Sequence, residues 1–536
     1  MLLGSLGHDR RSSGGLSTDR IGFRPRAGPY TSGVRGEERG AGSEASPATQ
    51  REVTLRHSVT LNGAAQLLPL LTSFALTPYL IRTYGSDGFG FWSLLIILLA
   101  TITSLDGGVG ASLARFFAMH AARGEREDVT RLLIGAAGLF ALFSGLVLAA
   151  SAVVATSVVR ILDIDPALRD EAAHVLRWLG VLVLLGMWSN AVVALLQAHA
   201  RFLALLIATF LSSAGYVFAV LASRGMGLNA LIIGVSVRFG VLIVIGLVAG
   251  RHDLRLPRPL LLPRQMRRDF FAYASRMQAS SVTTFLNSEV DAIVIGLLLP
   301  VRYVGIYAVG AQAAAALRAL PLVAFHPILR RLTTVFTIDG LAGAVREFRA
   351  VQERWLPAVL GYGAVATVAV GFGVAMWLGP EYHMSGVVAA VLMAGFTVHV
   401  SLTGVRTCFV RAIGRPGLET RYSLLSTVVN LALTVPLAIA FGAVGVVSAT
   451  TIALSGASLY FVRACERVAP LHRVQLSGRW VLSITAACTV TLIGELAVLQ
   501  TPWRGTLPLA ISVVPAIVGL GVLVVGGKPG VGALAG

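Results

Sequence analysis

Apolar runs of about twenty residues recur roughly every thirty positions from Leu61 onward, and each is long enough to cross the hydrocarbon of a bilayer. A chain built this way must satisfy its backbone hydrogen bonds inside each run, so it is expected to fold as an all-α polytopic membrane protein. About fourteen transmembrane helices are predicted, at 59–81, 89–113, 132–158, 174–198, 202–223, 227–249, 269–298, 303–326, 356–378, 385–407, 422–441, 443–463, 480–499 and 506–525. Composition agrees: only 13% of residues are charged and the mean hydropathy is +0.76. A soluble domain carries about 25% charged residues, which excludes a water-soluble enzyme of this size. A single-span receptor, whose polar ectodomain would dilute the apolar share, is excluded too.

The net charge of +18 rests almost entirely on arginine, because Lys528 is the sole lysine. If the N-terminus is inside, the inner loops hold clusters such as Arg123, Arg126 and Arg131, then Arg251, Arg255, Arg258, Arg264, Arg267 and Arg268, and later Arg330, Arg331, Arg346, Arg349 and Arg354. The outer loops hold only Arg82, Arg160, Arg169, Arg224, Arg302 and Arg504. Short cytoplasmic loops retain Arg and Lys, so both termini are expected in the cytoplasm and membrane lipids are the partner of most of this charge. No basic face interleaved with aromatics and no binding motif suggests nucleic acid.

Residues 1–57 are rich in Gly, Ser, Arg and Glu and are expected to form a disordered cytoplasmic tail. Beyond it a weak internal repeat is visible. Gly90 and Trp92 align with Gly305 and Tyr307 at an offset of 215, and Ala198 and Arg201 align with Ala412 and Arg415 at an offset of 214. An even number of spans per unit makes such units parallel repeats. The expected organisation is therefore an N-lobe of six helices at 58–250, a basic linker at 251–268, a C-lobe of six helices at 269–465, and two further helices with a C-terminal tail at 466–536.

Span 7 carries the most chemistry. At about 100° per residue, Arg276, Ser280, Thr283, Asn287 and Asp291 share a stripe about 80° wide. Subtracting the offset of 214 lands on Asn62, Gln66, Pro69, Ser73 and Thr77, the polar stripe of span 1. Two related polar stripes are expected to face one hydrated cavity between the lobes. The alternative for Ser and Thr is plain helix packing. Charges inside a bilayer are rare and mark pathways, so Arg276 and Asp291 are singled out, together with Asp106, Arg238 and Arg318. For these, a permanent structural ion pair is the competing reading. In a straight helix Asp291 lies roughly 22 Å from Arg276, too far for a direct pair. His399 is expected to be a hydrogen-bonded core residue, while Arg177 and Glu495 are expected to reach the outer surface.

There is no Walker loop, no nucleophile-and-base pairing and no His/Cys/carboxylate cluster with ligand spacing, so no catalytic residue, cofactor or metal site is expected. Cys408, Cys465 and Cys488 lie far apart in or beside apolar segments and are read as packing residues.

Several segments together resemble the multidrug/oligosaccharidyl-lipid/polysaccharide exporter superfamily, and within it the bacterial polysaccharide-transport branch that includes O-antigen flippases. They are Leu76-Thr77-Pro78-Tyr79-Leu80-Ile81-Arg82-Thr83-Tyr84-Gly85 running into Gly88-Phe89-Gly90-Phe91-Trp92, then Leu105-Asp106-Gly107-Gly108, Asn287 with Asp291, Val304-Gly305-Ile306-Tyr307, and Trp377-Leu378-Gly379-Pro380-Glu381-Tyr382. The resemblance implies two six-helix lobes around a central cavity and a secondary transporter that flips a polyprenyl-pyrophosphate-linked oligosaccharide across the bacterial inner membrane. It implies that cationic cavity residues meet the anionic substrate, which fits Arg276, Arg318 and Arg238; the polar stripes add Asn62, Gln66 and Asn287 to the expected substrate-binding cavity, and the intramembrane carboxylates Asp291 and Asp106 are the residues expected to couple an ion. Envelope glycosyltransferases or a polymerase are the protein partners it suggests. Alternatives are a drug or cation antiporter, a lipid II flippase, and a catalytically silent scaffold for glycosyltransferases.

Overall fold

The computed structural model describes residues 47–162, 164–258, 262–415, 417–471, 478–499 and 517–518. The chain divides into a unit at Met1–Thr54 and a unit at Leu55–Gly536. Most of the expected tail lies outside the described residues, but residues 47–57, expected to be disordered, are helical.

Among the described residues every regular element is a helix. In chain order these are α1 Pro47–Ser104, α2 Val109–Ala122, α3 Arg126–Ile161, α4 Arg169–Arg177, α5 Leu179–Ala198, α6 Phe202–Ala222, α7 Asn229–Gly250, α8 Arg264–Ser288, α9 Val290–Leu298, α10 Arg302–Val323, α11 Phe325–Leu378, α12 His383–Ala412, α13 Gly417–Glu466 and α14 Gly478–Leu499. Eight of the helical stretches are long and apolar enough to cross a membrane. The chain is a multi-pass membrane protein.

Two of the longest helices, α1 and α13, contain more than one expected span. A straight α1 of 58 residues would run about 87 Å, nearly three hydrocarbon thicknesses. It bends at Gly85, whose φ of 70° is open to glycine without a Cβ penalty. Both arms of α1 then line one cavity, so the bend folds the helix back on itself. A bend at Gly442 (φ 62°) divides α13 in the same way and matches the expected break between spans 11 and 12. The last expected span, 506–525, lies outside the described residues except for helical Ile517 and Val518.

Two expected spans need correction. Span 2 was expected to continue to residue 113, but α1 stops at Ser104 and α2 starts at Val109. Gly107 and Gly108, both at φ 75°, break the helix there. Span 7 was expected to be one helix, but it is interrupted at Glu289 (φ −116°, ψ −17°), which separates α8 from α9. The straight-helix separation of Arg276 and Asp291 therefore does not apply.

Packing is densest within each half of the chain. α5 packs on α2, α3 and α7, and α6 packs on α7; in the second half α12 packs on α10, α11 and α13. α14 lies against α11. Outside the spans, Arg201 grips Asp253 through two hydrogen bonds of 2.5 and 3.1 Å, tying the α5–α6 corner to the chain after α7. That carboxylate holds the Arg201 pKa above its ordinary value.

The two halves meet at opposite ends of the bundle. Beyond the Gly85 bend, Gly90 abuts the start of α10 so closely that a Cβ would strike the Val301 carbonyl and come within 3.0 Å of Arg302 Cα. Gly305 returns the contact, its Cβ direction meeting Gly90 Cα at 3.1 Å. At the other end Gly108 sits against α8, where a Cβ would strike the Ala274 carbonyl and lie 2.8 Å from Gln278 N.

Candidate substrate cavity and a buried carboxylate

A cavity of about 140 Å³ opens between the two arms of α1, α6, α7 and α10. Pro69, Ser73 and Thr77 from the predicted span 1 stripe line it, joined by Ser93, Trp92, Tyr216, Gln312 and Arg238. Arg238, on α7, stands with its Cζ 5.7 Å from the centre of the Tyr216 ring. No carboxylate lines the cavity, and among the described residues no salt bridge reaches Arg238 or Arg318. A desolvated guanidinium beside hydroxyls and an amide, with no fixed counter-charge, is chemistry for a bidentate anion.

Of the other predicted cavity residues, Arg318 and Gln66 fall elsewhere. Arg318, on α10, is not part of that wall; its guanidinium lies 5.4 Å from the Phe396 ring centre, and its Nε is buried without a hydrogen-bond partner among the described residues. Gln66 is exposed. The side chains of Arg276, Asn287 and Asn62 lie outside the described residues, although α8 and α1, which carry them, do not.

Asp106 sits in the break between α1 and α2. Its carboxylate accepts from Gly108 N (2.9 Å) and Gly110 N (2.6 Å), occupying both oxygens with the unpaired amides at the start of α2.

Asp291 is 4% exposed at the start of α9. Thr450 donates to its Oδ2 at 2.5 Å and Asn430 Nδ2 to its Oδ1 at 3.3 Å. These partners come from opposite arms of α13. The Asn430 side-chain oxygen lies 3.2 Å from the hydroxyls of both Thr434 and Thr450. The result is a closed cluster of carboxylate, amide and hydroxyl groups, with no cation near enough for a salt bridge among the described residues. Sequence reasoning found Asp291 but missed its partners, whose only signal was an amide and a hydroxyl inside apolar spans.

His399 behaves as expected of a core histidine, its Nδ1 2.9 Å from Ser458 Oγ. Glu495 does not reach the surface as expected: it is fully buried, and neither oxygen has a hydrogen-bond partner among the described residues. A second group escaped the sequence reading because its members are brought together by the Gly124 turn. His120, Glu125 and Asp128 place three donor atoms within 4.8 Å of one another. Arg131 already pairs with Asp128 at 2.5 Å, and His120 Nε2 is buried without a partner. A ligating histidine normally donates its other N–H to a neighbour, so the group reads best as an ion-pair corner.

No curated protein sequence matches the chain. Among solved structures the fold is similar to lipid II flippase MurJ in an inward closed conformation, with a TM-score of 0.65 at 11% identity over 87% of this chain and 98% of that one. It is also similar to an inward-facing multidrug resistance MATE family transporter of the MOP superfamily, with a TM-score of 0.56 at 12% identity over 76% of this chain and 98% of that one. These likenesses bear on the fold. A family model described as polysaccharide biosynthesis protein matches residues 55–331, more than half the sequence and the whole of the wall around Arg238. With that match added to an all-helical, multi-pass fold of the exporter type, the chain belongs to the polysaccharide biosynthesis protein family.

Proposed function

We propose that the protein is a flippase that moves a polyprenyl-pyrophosphate-linked saccharide across the bacterial inner membrane by alternating access, with both termini in the cytoplasm. In this reading helices of 58–250 and 269–465 are the two moving lobes, the Gly90 end faces outward and the Gly108 end faces the cytoplasm. The observation that carries it is the cavity lined by Arg238, which holds a partly buried guanidinium and no carboxylate. A diphosphate crossing hydrocarbon needs charge compensation, and Arg supplies two parallel donors without losing its charge. A cation antiporter would need the opposite sign at this place. Arg318 and Arg276 are further contacts for the same anion along its path. Asp291, held by Asn430 and Thr450, is the site where a coupling proton or cation binds, since replacing the two donated hydrogen bonds by one bound charge alters how α9 is tied to α13.

The test is flipping of a prenyl-diphosphate-linked saccharide in proteoliposomes. Arg238→Ala should lower the rate about 10- to 100-fold, the usual cost of a lost charge-assisted hydrogen bond, and Arg238→Lys should recover part of it. Unchanged flipping in Arg238→Ala, with gradient-driven efflux of an organic cation by the parent protein, would establish the antiporter instead. Asp291→Asn keeps the size and one acceptor of the carboxylate; it should be well expressed yet flip at a rate independent of the imposed gradient. Retained gradient dependence would remove the coupling role.

A further inference from the structure

The cavity beside Arg238 and the Gly90–Gly305 seam are built from the same two stretches of chain. Phe89, Trp92, Ser93 and Ile96 of α1 line the cavity on one side and Ala308 and Gln312 of α10 on the other. Gly90 and Gly305, on those same stretches, press backbone against backbone. The cavity of about 140 Å³ is small beside the roughly 300–1,000 Å³ of a typical ligand pocket. A diphosphate bearing a prenyl chain therefore enters only if the walls part, and those walls are the seam.

Trp92 and Tyr216 line the cavity together with the cation, and Trp92 lies on the stretch of α1 that carries Gly90. Tyr216 is 5% exposed, its ring beneath Arg238 and backed by Gly234, where a Cβ would come within 3.2 Å of the ring. Trp92 is 3% exposed, stacks on Tyr84 with centroids 5.7 Å apart, and stands two residues from Gly90. We propose that Trp92 and Tyr216 are positioning residues that couple occupation of the Arg238 cavity by a diphosphate to release of the Gly90–Gly305 seam. An anion that engages Arg238 draws the guanidinium off the Tyr216 face. Tyr216 then shifts against Trp92, and Trp92 carries the shift along its own helix to Gly90. The inference rests on the diphosphate reading above and adds the route by which the bound group is sensed.

The experiment uses the full chain in proteoliposomes, with Cys408, Cys465 and Cys488 replaced by Ala and Ala308→Cys as reporter. The probe is farnesyl pyrophosphate. Its binding is measured by equilibrium dialysis, and reaction of the reporter thiol with a membrane-impermeant maleimide is followed from each face. In the parent protein the probe should accelerate labelling from the Gly90 face by about fivefold or more, the scale of an ordinary coupling between sites. Tyr216→Phe keeps the ring beneath Arg238 and Trp92→Phe keeps the stack on Tyr84, so both should fold; because both residues line the cavity, each variant's probe affinity is measured by dialysis and labelling is compared at equal occupancy. Each should lose most of the acceleration, and the double variant should lose no more than either alone, as expected of two steps on one route. Full acceleration in both single variants overturns the coupling, as does a response that returns when weaker binding is overcome by more probe. Failure of the parent to bind the probe, or binding unaffected by Arg238→Ala, overturns the functional reading itself and the coupling with it.

Discussion

The two seams between the halves are closed by different means. At the Gly90 end the contact centres on missing side chains: Gly90 meets the Val301–Arg302 backbone where a Cβ would clash, and Gly305 packs under Gly90 and the Phe89 ring. At the Gly108 end a similar backbone contact with α8 is reinforced by side chains. Arg115 Cζ lies 4.3 Å from the Tyr273 ring centre, and Phe116 meets Phe270 edge-on at 5.4 Å and Tyr273 at 6.2 Å. The first seam depends mainly on close fit at the glycines, whereas the second adds cation–π and aromatic edge contacts that are individually removable. A seam of fit is broken by adding atoms, and a latch is broken by taking them away.

The largest effect should come from Gly90→Leu. Its side chain has no space against Val301 and Arg302, and overpacking of this kind costs about 1–3 kcal/mol. Labelling of a thiol at Ala308→Cys from the Gly90 face should become independent of substrate, and flipping should cease because one closed state is lost. Labelling that stays blocked would show that the glycine contact does not form the seam. A middle effect is expected from Phe116→Leu, which keeps burial but removes two aromatic edge contacts worth about 0.5–1.5 kcal/mol. Substrate-free opening at the Gly108 end should rise several-fold while the Gly90 end is unmoved, and double electron–electron resonance between spin labels at the two ends would read both. Arg115→Gln should do the same more weakly, since a cation–π contact at an exposed site contributes about 0.5–1 kcal/mol. Equal responses at both ends to either latch variant would erase the distinction.

Much of the fold was legible because the bilayer leaves so few options: apolar run length alone placed the helices around α3, α5, α6 and α7. The Gly90–Gly305 alignment was read as a trace of duplication, and the two glycines prove to touch each other. Pro69, Ser73 and Thr77 were legible as a polar stripe on span 1, yet their partners Tyr216 and Arg238 come from helices well over a hundred residues away and no local period points to them. Asp106 was read as an intramembrane charge because the apolar run continues through it; the positive φ of Gly107 and Gly108 turns its surroundings into a helix start. Glu495 was read as surface-reaching from its distance to the helix end, a criterion blind to the packing of α14 on α11.

The partition of the Asp291 cluster between α9 and α13 also has a consequence for biogenesis. The residues that hydrogen-bond this carboxylate follow it in the chain by 139 and 159 positions. During synthesis α9 therefore reaches the membrane before either arm of α13 exists. A carboxylate entering the bilayer without partners is costly, and Asp291, in the first turn of α9, is followed there by only seven residues to offset it. Until Gly442 has folded α13 into its two arms, this carboxylate has no partners for its two hydrogen bonds, so completion of α13 is what satisfies the first turn of α9.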